Sequence, residues 1–364
     1  MSTIIFFILF FTIWVTYVSS SSSSSFSFAS SSSTITSYPS LGFLALGDWG
    51  GSGNAPYYTD PQVQVGIGMA NIINGSYNNI QAILALGDNF YPLGLCNNET
   101  FFSCNVTNNT INTTDWRTGT EYDPRFNDTF EHVYTDPAYT LNNKIIYWHP
   151  LAGNHDALGN ITAELFYSNH SKRWRYPYYY YTLQYSLIPY NTTTYIWKEV
   201  DKRPSNALLH VSFMMLDATL WYGIYPVEPE IGIEEWVWIS TTLPMLAEVS
   251  DFLFVASHYP LYSACAHGNT DYMITNLLPL LDYYNITAYL SGHDHCQEYL
   301  TLPLPSKPEV LLPLIVTGTG DGCCYGASNV DYIAPAILEF LQAGESQYNP
   351  TNETGGFIKL MINK

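Results

Sequence analysis

Short apolar runs, each closed by Gly or a small polar residue, recur along the chain and set its frame. Leu41 to Leu46 ends at Gly47-Asp48, and Ala82 to Leu86 ends the same way at Gly87-Asp88. Runs of this length, bounded by turn residues, predict strands buried on both faces of a sheet. Ile145 to Ala152 before Gly153-Asn154, His210 to Leu216 before Asp217, Phe252 to Ala256 leading into His258, Ile286 to Leu290 leading into Gly292-His293, and Leu311 to Val316 complete the set. The tyrosine-rich stretch from Tyr176 to Leu187 is also expected to be β. Helical spacing appears between these runs. Gln62 to Ile73 is entered through Asp60-Pro61 and closed near Gly75. Glu234 to Leu246 is amphipathic, with Trp236 and Trp238 among its apolar residues, and Tyr272 to Tyr284 is expected to be one helix. Strands alternating with helices, without an internal repeat, predict a layered α/β fold.

The ends and one insertion depart from this rhythm. Ile4 to Val18 is apolar and about as long as the core of an export signal, short for a membrane span, although the usual basic flank is missing. An uncleaved signal anchor is the alternative. The expected organisation is a signal peptide at 1–20, a Ser-rich flexible leader at 21–38, and one catalytic domain at 39–364 with a polar insertion at about 95–118. Asn-X-Ser/Thr sequons begin at Asn74, Asn98, Asn105, Asn108, Asn112, Asn127, Asn160, Asn169, Asn191, Asn285 and Asn352, which fits a glycosylated protein that is secreted or lysosomal/vacuolar. No apolar C-terminal tail suggests a lipid anchor. An oxidising compartment permits disulfides among the six cysteines; Cys96 with Cys104 could close a local loop, and the pairing of Cys265, Cys296, Cys323 and Cys324 stays open.

Composition narrows the partners. With 12 Lys and Arg against 31 Asp and Glu, the formal net charge is −19. Such a chain has no basic face for nucleic acid. An anionic substrate would be at odds with that charge unless bound cations reversed the local field.

Five motifs carry the chemistry: Gly47-Asp48-Trp49-Gly50, Gly87-Asp88-Asn89-Phe90-Tyr91, Gly153-Asn154-His155-Asp156, Ser257-His258-Tyr259-Pro260 and Gly292-His293-Asp294-His295. One Asp at a strand end is often only a turn former. Two in matched settings, followed by Asn-His and His-X-His, argue for hard carboxylate ligands, one of them able to bridge two ions. A lone His is commonly a satisfied core residue, and His258 alone says little. His293 and His295 after a Gly at a strand end point to metal. Asn154 offers an amide oxygen. Asn89 and Asp156 are expected in the surrounding shell, where a carboxylate can orient a neighbouring imidazole such as His155.

This ordered set resembles the dinuclear metallophosphoesterases of the calcineurin-like superfamily, and within them the purple acid phosphatases of the short, tartrate-resistant type. Generic members carry Asp-X-His in the first motif; here the third residue is Gly50, and Tyr91 stands where the purple enzymes supply a tyrosinate. The resemblance, which runs from about Leu41 to Ile358, implies two packed mixed β-sheets flanked by helices, an αββα sandwich. It implies Fe(III) on Asp48, Tyr91 and His295, a divalent metal (Fe, Zn or Mn) on Asn154, His258 and His293, and Asp88 bridging them. The implied reaction is acid hydrolysis of phosphate monoesters, small or protein-borne, by in-line attack of a metal-bound hydroxide. His155 and His267 would orient phosphate and protonate the leaving group.

Departures from the family pattern are specific. The Glu that usually precedes His267 is Ala266. Trp221 and Tyr272 stand near the expected places of a cysteine pair common in animal members. The loop after Asp217 is short. The chain stops at Lys364 where relatives continue, which predicts a missing edge strand and exposed backbone. Alternatives to the monoesterase reading are a phosphodiesterase or nucleotide pyrophosphatase on the same metals, a redox-active site, or a non-catalytic glycoprotein. The oligomeric state is not legible.

Overall fold

The computed structural model describes residues 2–8, 11–18, 38–75, 79–95, 119–135, 139, 145–191, 194–222, 229–344 and 355–363. Two mixed sheets pack face to face with helices outside them, as the family resemblance implied. The six-stranded sheet has the order β1 (Ser2–Ile8), β2 (Phe11–Val18), β14 (Gly355–Ile362), β3 (Leu41–Leu46), β4 (Ile80–Leu86), β5 (Tyr147–Leu151). Its β3, β4 and β5 run parallel, and helix α1 (Asp60–Gly75) makes the crossover from β3 to β4. The eight-stranded sheet has the order β13 (Ile337–Gln342), β11 (Gln297–Leu304), β12 (Lys307–Thr317), β10 (Ala288–Ser291), β9 (Phe252–Ala256), β8 (Leu209–Met215), β6 (Tyr181–Pro189), β7 (Tyr195–Glu199). Its central β8, β9, β10 and β12 are parallel.

The two-residue period of each strand explains the layers. On β8, Val211, Phe213 and Met215 join the core between the sheets, while Met214 faces the helical layer. On β9, Phe254 and Ala256 point inward and Leu253 and Val255 outward. Phe43 of the smaller sheet meets Tyr185 and Phe213 of the larger edge-to-face, with centroids 5.1 and 4.6 Å away. The outer layer of the larger sheet is α5 (Pro229–Val249), α6 (Asp271–Asn276) and α7 (Leu278–Tyr284), through Ile239, Leu243, Met273, Leu277 and Leu281.

Several expectations are corrected. The helix expected over Tyr272 to Tyr284 is two helices broken at Leu277, because Pro279 has no N–H for a continuous ladder and belongs in a first turn. The tyrosine-rich strand begins only at Tyr181; Tyr176 to Tyr180 is irregular. The open edge expected at the C-terminus is absent among the described residues: β14 is paired with β3 on one side and β2 on the other. Within the N-terminal stretch, β1 and β2 pair antiparallel, which does not bear on its reading as an export signal. Where a cysteine pair was missed, Trp236 lies between Trp221 and Tyr272, with centroids 4.6 and 6.4 Å away. The polar insertion, including Cys96, Asn98, Cys104, Asn105, Asn108 and Asn112, lies outside the described residues, as do Asn352 and most of the loop after Asp217.

A small aromatic core behind β3 and β5 stiffens the site. Trp49 is buried against Trp148, Tyr134, Phe130 and Trp174, with centroids 5.2 to 6.1 Å away. Its indole N–H donates to Asn89 Oδ1 at 3.0 Å, tying the turn after β3 to the turn after β4.

Candidate dinuclear metal centre

Asp48, Asp88, His258 and His293 each lie two residues beyond the end of a parallel strand, β3, β4, β9 and β10. Asn154 follows β5 and opens the short helix α2 (Asn154–Ala157). All therefore sit at the carboxyl edge, where open α/β sheets present ligands. Three of these residues have left-handed backbone: Asp48 at φ 56°, Asp88 at 53° and His293 at 69°. Each costs about 1–3 kcal/mol for a non-Gly residue and persists only where the surroundings impose it. Those surroundings are visible. The Asp48 N–H donates to the Gly87 carbonyl at 3.0 Å, the His293 N–H to Asp48 Oδ2 at 2.7 Å, and the His155 N–H to Asp88 Oδ1 at 2.9 Å. Gly87 (φ 88°) is required here: a Cβ would stand 2.6 Å from His258 Nδ1.

The expected ligands form two clusters. In the first, the Tyr91 hydroxyl is 3.1 Å from Asp48 Oδ1, 3.1 Å from Asp88 Oδ2 and 3.0 Å from His295 Nε2. In the second, Asn154 Oδ1 is 3.0 Å from His258 Nε2 and 2.9 Å from His293 Nδ1. Asp88 reaches both: its other oxygen, Oδ1, is 3.4 Å from His258 Nε2. Ligand atoms of Asp48, Asp88 and His258 all lie within 4.8 Å of one another.

The donor set fits cations. His258 Nδ1 faces the Leu86 carbonyl at 2.8 Å, and a carbonyl only accepts, so that nitrogen holds the hydrogen. In the neutral ring Nε2 is then a lone pair, directed at the oxygens of Asn154 and Asp88. Lone pairs so converged need a proton or a metal ion among them. Electrostatics agree. Despite burial, the nearby His258 and His295 hold Asp48 below the usual carboxylate range. Burial, then Asp48 and Asp88, holds Tyr91 well above the ordinary phenol value, so only a strong positive charge would ionise it. Burial lowers His293 far below its usual value. His295, against its burial, is pushed up to about 9 by its contact with Asp48 and by the Asp48, Asp321 and Asp88 charges.

The surrounding shell differs from expectation in one respect. Asp156 does not set the tautomer of His155; the Pro92 carbonyl does, 2.6 Å from Nδ1. Side chains of adjacent residues on a short helix diverge, and Asp156 instead accepts N–H groups of Gly153, Asn89 and Phe90 at 2.8 to 3.1 Å, clamping the turns after β4 and β5. Asn89 completes that clamp by donating to the Leu151 carbonyl and to Glu164. His155 Nε2 is left facing the site, 3.9 Å from Asp88 Oδ2. His267, exposed at the rim, stacks on His293 with centroids 4.3 Å apart, and burial of part of its ring lowers its pKa. Asp294, the unassigned residue of the last motif, is the anchor of that rim: its carboxylate accepts N–H groups of His267 and Gly268 and the Ser263 hydroxyl. The disulfide Cys265–Cys296 joins the same two loops. Cys323 and Cys324 pair with each other. Asp321, whose backbone N–H donates to the Asp48 carbonyl, and Tyr325 were missed, since nothing in their local spacing separates them from other loop residues.

The chain belongs to the calcineurin-like phosphoesterase family, whose model matches residues 42–297. Within that family it is a homologue of tartrate-resistant acid phosphatase type 5: it is 35% identical to the Mus musculus protein over 334 residues, covering 89% of this chain and 84% of that one, and 31% identical to the Sus scrofa protein, covering 89% and 81%. Among solved structures it is similar in fold to GAP50, the anchor in the inner membrane complex of Plasmodium, at 18% identity and a TM-score of 0.60, covering 88% and 81% of the two chains.

Proposed function

We propose that this protein is an acid phosphatase hydrolysing phosphate monoesters with two metal ions, Fe(III) held by Asp48, Tyr91 and His295, a divalent ion held by Asn154, His258 and His293, and Asp88 shared. The observation that carries this reading is Asp88, whose Oδ2 faces the Tyr91 cluster at 3.1 Å and whose Oδ1 faces His258 at 3.4 Å. Such a metal pair supplies Lewis-acid polarisation of the ester and an activated water. The chain's own groups do the rest. His155, fixed through Nδ1 by Pro92, presents Nε2 to a phosphate oxygen. His267, at the solvent rim, is the group placed to protonate the departing alcohol. A tyrosinate would bring this ion a negative charge that a second imidazole could not, although burial and the carboxylates around Tyr91 oppose its ionisation without that ion.

The same reading includes export. A disulfide between Cys265 and Cys296 suits an oxidising compartment. Asn74, Asn127, Asn169, Asn191 and Asn285 are exposed and accessible to glycosylation, whereas Asn160 is half-buried and donates to the Gly119 carbonyl at 2.7 Å. Among the described residues no helix is long and apolar enough to cross a membrane.

The test is phosphate release from an aryl phosphate monoester and from the matching diester by purified protein, beside its metal content and visible spectrum. Monoesterase activity below neutral pH with iron bound is expected. Diester preference would move the protein to the phosphodiesterase class, and an inert, metal-free protein would overturn the reading.

A further inference from the structure

A histidine ligand is ordinarily oriented by a hydrogen bond through its second ring nitrogen. His258 has that bond, to the Leu86 carbonyl. His295 does not among the described residues: its side-chain partners, Tyr91 and Asp48, both face Nε2. What holds its plane is Tyr325. The two rings stack with centroids 4.3 Å apart and planes 7° from parallel, and the Tyr325 N–H donates to the His295 carbonyl at 2.9 Å, so one residue grips both ring and backbone. Tyr325 is itself fixed by the Gly344 N–H, which donates to its carbonyl at 2.8 Å.

The other side of Tyr325 meets His267 edge-on, with centroids 5.4 Å apart at 67°, and His267 stacks on His293 at 4.3 Å. Four rings, His295, Tyr325, His267 and His293, thus run in unbroken contact over the site from one ligand cluster to the other. Resting on the metal-site reading above, we propose that Tyr325 is a positioning residue: its flat ring takes the place of the missing hydrogen bond to His295 and fixes the rim imidazole of His267 relative to both ions. The stacked ring, not the hydroxyl, is the working part.

The experiment compares wild type, Tyr325→Phe, Tyr325→Leu and Tyr325→Ala as full-length, metal-loaded proteins. Iron release to excess chelator, visible band position, and kcat and KM are measured on each. Tyr325→Phe should match wild type within about two-fold, while Tyr325→Ala and Tyr325→Leu should release iron roughly 10–100-fold faster, the range for outer-sphere partners of metal ligands, with a shifted band and a raised KM. Tyr325→Leu keeps bulk without a flat face, so it separates stacking from a cavity if Tyr325→Ala folds poorly. Release rates and band equal to wild type in Tyr325→Leu would overturn the proposal, as would a Tyr325→Phe as impaired as Tyr325→Ala. A wild-type protein that takes up no metal would sink the metal reading and this inference with it; a loaded wild type matched by Tyr325→Leu sinks this inference alone.

Discussion

His258 turns Nδ1 to the carbonyl of Leu86 at 2.8 Å, so the strand that delivers Asp88 also fixes the tautomer of a histidine from the opposite sheet. Replacing that histidine leaves only Asn154, His293 and the shared Asp88 for the divalent ion, with one imidazole instead of two. His258→Ala should therefore bind one metal per chain instead of two and lose at least about 100-fold in kcat. Elemental analysis of the purified variant reads the stoichiometry; two retained ions would refute the assignment of His258.

Tyr91 lies within 3.1 Å of two carboxylates and His295, yet burial and those carboxylates oppose its ionisation. Visible colour in the wild type is then expected to come from a tyrosinate bound to ferric iron. Tyr91→Phe should lose the band while metal analysis still finds the divalent ion. A coloured Tyr91→Phe protein, or a colourless active wild type, would place a different metal in this cluster.

Asp156 is fully buried and accepts three backbone N–H groups, from Gly153, Asn89 and Phe90. Asp156→Ala strands those donors, at roughly 1–3 kcal/mol each. Denaturant unfolding should show a loss of about 3 kcal/mol or more, with weaker metal retention because the Asp88 turn is no longer clamped. Unchanged stability would mean water replaces the carboxylate.

Cys265–Cys296 spans 31 residues and links the His267 loop to the His295 loop. By loop-closure entropy its removal should cost about 3–4 kcal/mol. Cys265→Ala with Cys296→Ala should unfold at lower denaturant and show a raised KM, reproduced in the wild type by a reductant. Indifference of both to reductant would deny the bridge a role in holding the rim.

Ser263 lies 2.6 Å from both Asp294 and Glu298 with a single hydroxyl hydrogen to offer, so one carboxyl holds a proton. Burial and the Asp294 charge push Glu298 up to about 7. Its ordinary value is 4.5, so between these limits the native state binds more protons. Stability is full below that window and falls as pH rises through it, by up to about 3 kcal/mol for this group. Glu298→Gln should flatten the decline in chemical unfolding of the metal-free protein between pH 4.5 and 7. An equally steep slope in the variant would place the proton elsewhere.

The parallel core was legible because its strands are apolar on both faces: β3 and β9 fall where the pattern put them, and β4 and β8 shift by a residue or two. β11 escaped notice because Gln297, Glu298 and Thr301 break its apolar pattern, although all three are buried and hydrogen-bonded. β7 is five residues long, with three apolar or aromatic residues followed by Lys198 and Glu199 and no side chain fully buried, and offers no period to read. In the site, the motifs together with the family resemblance brought the seven expected ligands into view. They could not reveal which neighbour orients each one. That depends on contacts such as Pro92 with His155 and Tyr325 with His295, which join residues far apart in sequence.

Asp48, Asp88, Tyr91 and Asn154 come from the six-stranded sheet, and His258, His293 and His295 from the eight-stranded one. Each proposed ion would therefore be a rivet driven through both leaves of the sandwich. Prying the sheets apart and losing the ions become a single event. By mass action, tight metal would then shut down the opening motions that proteases exploit, and chelation alone would leave the protein vulnerable to them.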